Sequence, residues 1–342
     1  MASWRRVRLV FAPGLTVEFV DRERGLRQVE GLAGRGTRFP VVIYGPEGCG
    51  KTAFLRQVFE VLKSLGYSVV YVNPLGREAG ERLLTTEDVR SLVGALAEFA
   101  LGGGAARLVD AALGVASRLF GRSRRIAFIA DDVFQAIGVE EAELYVKRLL
   151  NLIEYPPGEY ERIVVLVASS EGVTRGRISR HNWAKLMMMW NMPRSALEEL
   201  YEQIPGAKPG FDEVWAWTGG NPRYLSRLYE AGWRVDRVIE EIVAERRVLR
   251  ALARRWRREL EETVNDPDYL MEEYERVEGL ARKLIELNMV VEVVEYRSED
   301  LWIDTPPPER DPELGIGRFY AWATPLHREA VRRILSEYSL SG

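Results

Sequence analysis

Cysteine, histidine and lysine are all scarce in this 342-residue chain, and each scarcity rules something out. Cys49 is the only cysteine, so no internal disulfide can form and a reducing, cytoplasmic setting is expected. His181 and His327 have no second histidine and no cysteine nearby, so the ligand spacing of a zinc site is missing. Only six of the 48 basic residues are lysine. The rest are arginine, which stays charged and pairs bidentately, a bias that suits a GC-rich genome or a thermophile. Long apolar runs are missing too. The nearest candidate for a membrane span, 91–120, is interrupted by Glu98, Arg107, Asp110 and Arg118. Arg5, Arg6 and Arg8 precede no apolar stretch of signal-peptide length, so neither secretion nor a membrane location is expected. A formal net charge of −3 gives no whole-molecule attraction to nucleic acid or anionic lipid and leaves such binding to a local patch. With 46% hydrophobic and 29% charged residues, the chain reads as globular and long enough for two or three domains.

What is present is a phosphate-binding signature. The apolar strand Val41–Tyr44 runs into Gly45-Pro46-Glu47-Gly48-Cys49-Gly50-Lys51-Thr52, which fits the P-loop pattern G-x-x-x-x-G-K-[ST]. The residues after Ala53 place Phe54, Leu55, Val58, Val61, Leu62 and Leu65 at helical spacing. Glycines let backbone N–H groups turn inward around a polyphosphate at a helix N-terminus, where the dipole favours negative charge. Gly45, Pro46, Glu47, Gly48, Cys49, Gly50, Lys51, Thr52 and Ala53 are therefore the candidate nucleotide-binding residues. Lys51 would reach the β- and γ-phosphates, and the Thr52 hydroxyl is a candidate Mg²⁺ ligand. Cys49 occupies a variable loop position, where packing is a simpler role than redox sensing.

Apolar, β-branched segments recur at Tyr67–Val72, Ile126–Ala130, Ile163–Val167 and Leu186–Trp190. They alternate with helical stretches, including a long insertion over 86–120 broken at Gly102–Gly104. This predicts an α/β fold with a five-stranded parallel sheet and right-handed crossovers. The third strand ends in Asp131-Asp132, the Walker B pattern, which makes Asp131 a candidate Mg²⁺ ligand. Asp132 stands where additional-strand P-loop ATPases carry a glutamate that polarises the attacking water. It is one methylene shorter, so slow turnover is expected. Two acidic residues capping the next helix are the alternative. The fourth strand ends in Ser169-Ser170, candidates to contact the γ-phosphate or the lytic water as sensor 1, against plain helix capping. Arg175, Arg177 and Arg180 follow, as an arginine finger or, more simply, as solvated arginines. Upstream of the first strand, Phe19 and Val20 are candidates for an apolar wall against adenine, or else belong to the N-terminal cap of a helix carrying Leu26, Val29 and Leu32. Beyond Pro193 the chain turns helical, and Thr218-Gly219-Gly220-Asn221-Pro222 ends one helix and opens another, with Asn221 as N-cap and Pro222 at N1.

Taken in order, Phe19-Val20-Asp21-Arg22-Glu23, the P-loop, the Asp131-Asp132 strand, Ser169-Ser170 and Gly219-Gly220-Asn221-Pro222 carry a family resemblance. The chain resembles the archaeal ATPase family, within the STAND branch of AAA+-like P-loop proteins, from Leu15 to about Leu228 and more weakly to the end. The resemblance implies Mg²⁺-dependent ATP binding and hydrolysis to ADP, with ATP preferred over GTP on that ground alone. It implies a helical lid in which Pro222, or Arg223 as a sensor 2 residue, contacts the nucleotide. It also implies a C-terminal winged helix and self-association or a protein client. The expected division is 1–192 for nucleotide binding, 193–264 for the lid and 265–342 for the winged-helix-like part. The aspartate at 132 is the departure from many relatives, and it puts turnover in question.

Val235 to Val264 reads as one long helix or two, with Arg246, Arg247, Arg250, Arg254, Arg255, Arg257 and Arg258 flanked by glutamates. A solvated helix laced by i,i+4 pairs is the reading preferred to a phosphate-backbone surface. Helix Tyr274–Asn288, a strand from Val290, a return at Phe319–Ala323 and a closing helix at Pro325–Tyr338 suit a winged helix. The hairpin region is acidic at Glu292, Glu295, Glu299, Asp300, Asp304, Glu309, Asp311 and Glu313, which argues against a wing lying on DNA. Contact with protein is preferred. Three functions stay open: a slow ATPase, a nucleotide-dependent switch with negligible turnover, and an ATP-gated DNA-binding protein resembling origin-recognition initiators.

Overall fold

Short runs of β-branched and aromatic residues set the strands of the computed structural model, which describes residues 4–76, 79–90, 92, 104–169 and 176–339. Ser170, Arg175 and part of the predicted insertion lie outside the described residues. Along the chain the strands are β1 (Arg8–Ala12), β2 (Leu15–Glu18), β3 (Val41–Tyr44), β4 (Ser68–Val72), β5 (Leu83–Thr85), β6 (Arg125–Ala130), β7 (Arg162–Ser169), β8 (Lys185–Met188), β9 (Val290–Glu292) and β10 (Tyr320–Trp322). The chain forms two compact units: Met1–Val7, Arg22–Tyr44 and Lys51–Met188 make one, and Arg8–Asp21, Gly45–Gly50 and Met189–Gly342 make the other.

The first unit holds a six-stranded sheet in the order β5-β4-β6-β7-β3-β8. The five predicted strands are all there and run parallel. The sixth, β5, pairs antiparallel with β4 at the edge and corrects the five-stranded expectation. Its three residues are each only half-buried, too short and too mixed to stand out as a hydrophobic pattern. β7 lies between β3, which leads into the glycine-rich loop, and β6, which leads into Asp131.

Every residue of β3 and β4 is buried, as expected of a parallel sheet covered on both faces. On one face Val42, Val70, Phe128 and Val165 pack with Leu108, Ala112 and Leu113 of helix Ala105–Leu119, and with Tyr145 and Leu149 of helix Ala142–Glu154. The strand period of two turns Val69, Tyr71, Ala127 and Ile129 to the other face, where helices Glu23–Arg35 and Lys51–Ser64 contact the sheet. Helix Lys51–Ser64 buries Phe54, Leu55, Val58, Val61 and Leu62 there. At about 2 kcal/mol each, that is a gross gain of about 10 kcal/mol before chain entropy is subtracted. The same parity sends Asp131, two residues past Ile129, toward the start of that helix.

In the second unit the β1–β2 hairpin, turning at Pro13-Gly14, contributes Val17 and joins Val20, Met192, Leu197, Val214 and Leu225 in one core. That core gathers helices Arg194–Glu202, Phe211–Thr218 and Pro222–Glu230. A second core collects helices Val235–Glu245, Val248–Arg255, Arg257–Asn265 and Tyr274–Glu286, the β9–β10 hairpin and helix Pro325–Ser339. The one or two helices predicted over 235–264 are therefore three. Breaks at Arg246 (φ −111°) and Trp256 (φ −125°) fall where no glycine or proline marks them, so packing decides them. The chain before β10 is fixed by the buried Asp268, whose carboxylate accepts the backbone N–H groups of Arg318 (2.7 Å), Phe319 (2.8 Å) and Tyr320 (3.0 Å). Among the described residues, no helix is long and apolar enough to cross a membrane.

Candidate functional site

The glycine-rich loop follows β3, and helix Lys51–Ser64 begins at the loop's lysine. Two of its glycines answer to space. A Cβ at Gly45 would fall 1.9 Å from the Met189 carbonyl oxygen. One at Gly48, where φ is +78°, would fall 2.5 Å from Cβ of Arg223. The loop is also tied by side chains of its own unit. Asn221 donates to the Glu47 carbonyl (2.9 Å) and to Oδ1 of Asn191 (2.9 Å). Its own Oδ1 caps helix Pro222–Glu230 by accepting from the backbone of Arg223 (3.1 Å) and Tyr224 (3.3 Å). Asn191 in turn donates to the Ala323 carbonyl at 3.0 Å. These partners fix which end of each buried amide is nitrogen. The Glu47 carboxylate pairs with Arg223 and accepts from Asn288 at 3.3 Å. Pro222 sits at the first helical position, as predicted, with its ring beside Gly50. Cys49 is buried with Sγ 3.8 Å from the Met189 carbonyl oxygen, a packing role.

In the first unit, Asp131 is fully buried just past β6. Its Oδ2 accepts from the Tyr71 hydroxyl (2.7 Å) and from Nδ2 of Asn73 (3.2 Å). Among the described residues, its Oδ1 has no hydrogen-bond partner. Burial pushes this carboxyl up, to about 6, and neighbouring Asp132 adds to the rise; the Tyr71 and Thr52 hydroxyls and the Lys51 ammonium pull it back. A buried carboxylate oxygen left unpaired costs on the order of 1–3 kcal/mol unless something else engages it. An all-oxygen donor set of that carboxylate and the nearby Thr52 hydroxyl fits a hard divalent cation such as Mg²⁺. Asp132 adopts left-handed backbone angles (φ 50°, ψ 24°) at the head of helix Val133–Ile137, yet its side chain makes no capping bond. A non-glycine residue held there carries strain of about 1 kcal/mol, and such strain gathers at functional positions.

Ser169 is the last residue of β7, buried and in register with Tyr44 at the end of β3. Ser170 and Arg175 fall outside the described residues. Arg177 is held by Glu140 through two bonds, 2.7 and 2.6 Å. Phe19 is buried, and Val20 packs in the core with Met192, Leu197 and Leu225.

Residues 19–228 match the family described as an ATPase domain predominantly from Archaea. The chain belongs to this family. No curated protein matches it. Among solved structures, it is similar to the Aeropyrum pernix ORC1 protein in complex with DNA, at 19% identity and TM-score 0.38 over 94% of each chain. It is similar to Cdc6p from Pyrobaculum aerophilum at 14% identity and TM-score 0.38, over 97% of this chain and 99% of that one. With Thermotoga maritima RuvB the values are 14% and 0.33, over 69% of this chain and 66% of that one, just under two thirds of its length. Likeness this loose brings none of their residues or ligands to the present chain.

Within this archaeal-type ATPase domain, sequence reasoning passes over Tyr71 and Asn73 as the body and the terminator of a strand. It misses Asn191 altogether, and of Asn221 it sees only the cap. Position is the signal that finds Asn73, which like Asp131 and Ser169 stands at or just past the carboxyl end of a parallel strand, where α/β sheets hold their ligands.

Proposed function

We propose that this chain binds ATP with Mg²⁺ on the loop from Gly45 to Ala53 and hydrolyses it slowly, as a STAND/AAA+-like ATPase. The observation that carries this reading is the buried Asp131, which keeps one oxygen unpaired beside Thr52 and Lys51. In this reading Lys51 neutralises the β- and γ-phosphates, and Thr52 and Asp131 hold Mg²⁺, which when bound would neutralise charge on the phosphate oxygens. Asp132 orients and polarises the attacking water, and Ser169 or Ser170 contacts the γ-phosphate. Phe19 and Val20 flank the base. Pro222 and Arg223 contact the nucleotide from the lid, Arg223 exchanging its Glu47 partner to do so. The lid at 193–264 and the winged-helix-like part at 265–342 then move with nucleotide state. A cytoplasmic location and a second copy or a protein client complete the proposal. DNA is less favoured, because Arg246, Arg250 and Arg257 already pair with Glu245, Glu337 and Glu261.

A second reading, a nucleotide-dependent switch with negligible turnover, is favoured by the shorter reach of Asp132. Phosphate release from Mg²⁺-ATP by wild type, Lys51→Ala and Asp132→Asn separates the two. Turnover that both substitutions abolish supports the ATPase. Tight ATP retention without turnover, lost in Lys51→Ala, supports the switch. Unchanged ATP affinity in Lys51→Ala overturns the site.

A further inference from the structure

The two oxygens of Asp131 are treated differently by the protein, and Tyr71 is the cause. Tyr71, the last residue but one of β4, faces the side of the sheet that carries helix Lys51–Ser64, and its hydroxyl donates to Oδ2 of Asp131 at 2.7 Å. Asn73, two residues on, donates to that same oxygen at 3.2 Å. The orientation of the Asn73 amide is fixed, because its oxygen accepts the Leu75 N–H at 3.0 Å and only its NH₂ is left for the carboxylate. The direction of the phenol bond is fixed as well. The Arg56 guanidinium lies against the Tyr71 hydroxyl and, having only donors, leaves the phenol proton to the carboxylate. Arg56 is itself anchored by Glu81 at 3.4 Å. Two donors thus converge on Oδ2, while Oδ1, equally buried, has none among the described residues.

We infer that Tyr71 is a positioning residue for the cation ligand Asp131, engaging Oδ2 so that Oδ1 alone is presented to the metal. Asn73 acts in the same sense from the weaker, longer bond. The arrangement has a consequence for metal choice. Mg²⁺ is small, keeps most of its waters and takes one oxygen from a carboxylate, whereas Ca²⁺ accepts two oxygens of one carboxylate readily. A carboxylate with one oxygen already bonded therefore favours Mg²⁺ over Ca²⁺.

The inference rests on the ATP reading, and calorimetry of full-length protein tests the two separately. ATP is titrated into wild type and Tyr71→Phe, first in EDTA and then over a series of Mg²⁺ and Ca²⁺ concentrations. Tyr71→Phe is expected to keep its metal-free ATP affinity within about twofold while needing at least about tenfold more Mg²⁺ for half-maximal effect. Its preference for Mg²⁺ over Ca²⁺ should narrow by a similar factor. Asn73→Ala, a second variant should the first fold poorly, should shift Mg²⁺ dependence in the same direction by less. An unshifted Mg²⁺ requirement in both variants overturns the positioning role and leaves nucleotide binding standing. A loss of ATP affinity in EDTA as large as the loss with Mg²⁺ assigns Tyr71 to packing and overturns the role as well. Wild type that takes up no ATP in either condition overturns the nucleotide reading, and this inference with it.

Discussion

The side-chain amide of Asn221 donates a 2.9 Å hydrogen bond to the backbone carbonyl of Glu47, so the residue that caps helix Pro222–Glu230 also grips the phosphate loop. The two tasks fall to opposite ends of one amide. A shorter side chain can keep the cap and lose the grip. Asn221→Ser should cost about 1–2 kcal/mol, from the lost bonds to Glu47 and Asn191, and lower ATP affinity about tenfold. Asn221→Ala should cost about 1 kcal/mol more, for the cap, with no further loss of affinity. Urea unfolding and ATP calorimetry read the two effects apart. Wild-type affinity in the serine variant would remove the grip from the binding account.

Asp132 combines a strained backbone with the role of water-polarising carboxylate proposed for it above. Asparagine tolerates left-handed angles better than most residues and carries no charge beside Asp131. Asp132→Asn is therefore expected to keep or raise the melting temperature while phosphate release falls at least about a hundredfold. Asp132→Glu restores the longer reach and should speed release at some cost in stability. A variant that melts higher and still turns over at the wild-type rate would move the catalytic role elsewhere.

How much of this was readable beforehand follows from the range of the interactions. β3 was legible to the residue, because four buried apolar residues before a glycine-rich turn leave no other reading. The pairing of Asn221 as N-cap with Pro222 at N1 was legible for the same reason, since capping is local chemistry. β5 was not: its partner β4 lies over ten residues away, and its own residues are half-buried. Nor was the grip on Asp131, because Tyr71 and Asn73 reach it across 60 and 58 residues of sequence. From the sequence, Glu47 is only one of the candidate nucleotide-binding residues of the loop. Its carboxylate in fact meets Arg223 and Asn288, contacts that no spacing rule encodes.

Asp268 receives three consecutive backbone N–H groups at the approach to β10. Asp268→Ala leaves those donors unpaired in a buried place and should destabilise the protein by on the order of 3 kcal/mol or more. Asp268→Asn keeps one acceptor oxygen but turns an NH₂ group toward a donor, and should recover about half. ATP affinity under folding conditions should be unchanged in both, since the carboxylate's bonds go to the backbone of Arg318, Phe319 and Tyr320 and not to the glycine-rich loop. Equal melting temperatures for wild type and the alanine variant would show that water or backbone adjustment replaces the carboxylate.

His327 supplies the clearest pH dependence. Its ring is buried between the Tyr224 hydroxyl, 2.9 Å from Nε2, and the Thr324 hydroxyl, 2.8 Å from Nδ1. Burial lowers its pKa well below the ordinary 6.5, and the charges of Arg246 and Arg227 push the same way. The folded protein therefore holds the ring neutral at pH values where the unfolded chain protonates it. The stability this contributes is complete above about pH 6.5 and is lost as pH falls below that value, by up to about 1.4 kcal/mol per pH unit. His327→Gln keeps a donor and an acceptor but has no proton to take up. It should be less stable than wild type at pH 7.5, and the gap should narrow steadily toward pH 5. Melting curves of the two proteins over that range test this, because carboxylate titrations are common to both and cancel in the difference. Parallel curves would mean that the ring protonates equally in the folded and unfolded states, and that its burial carries no pH cost.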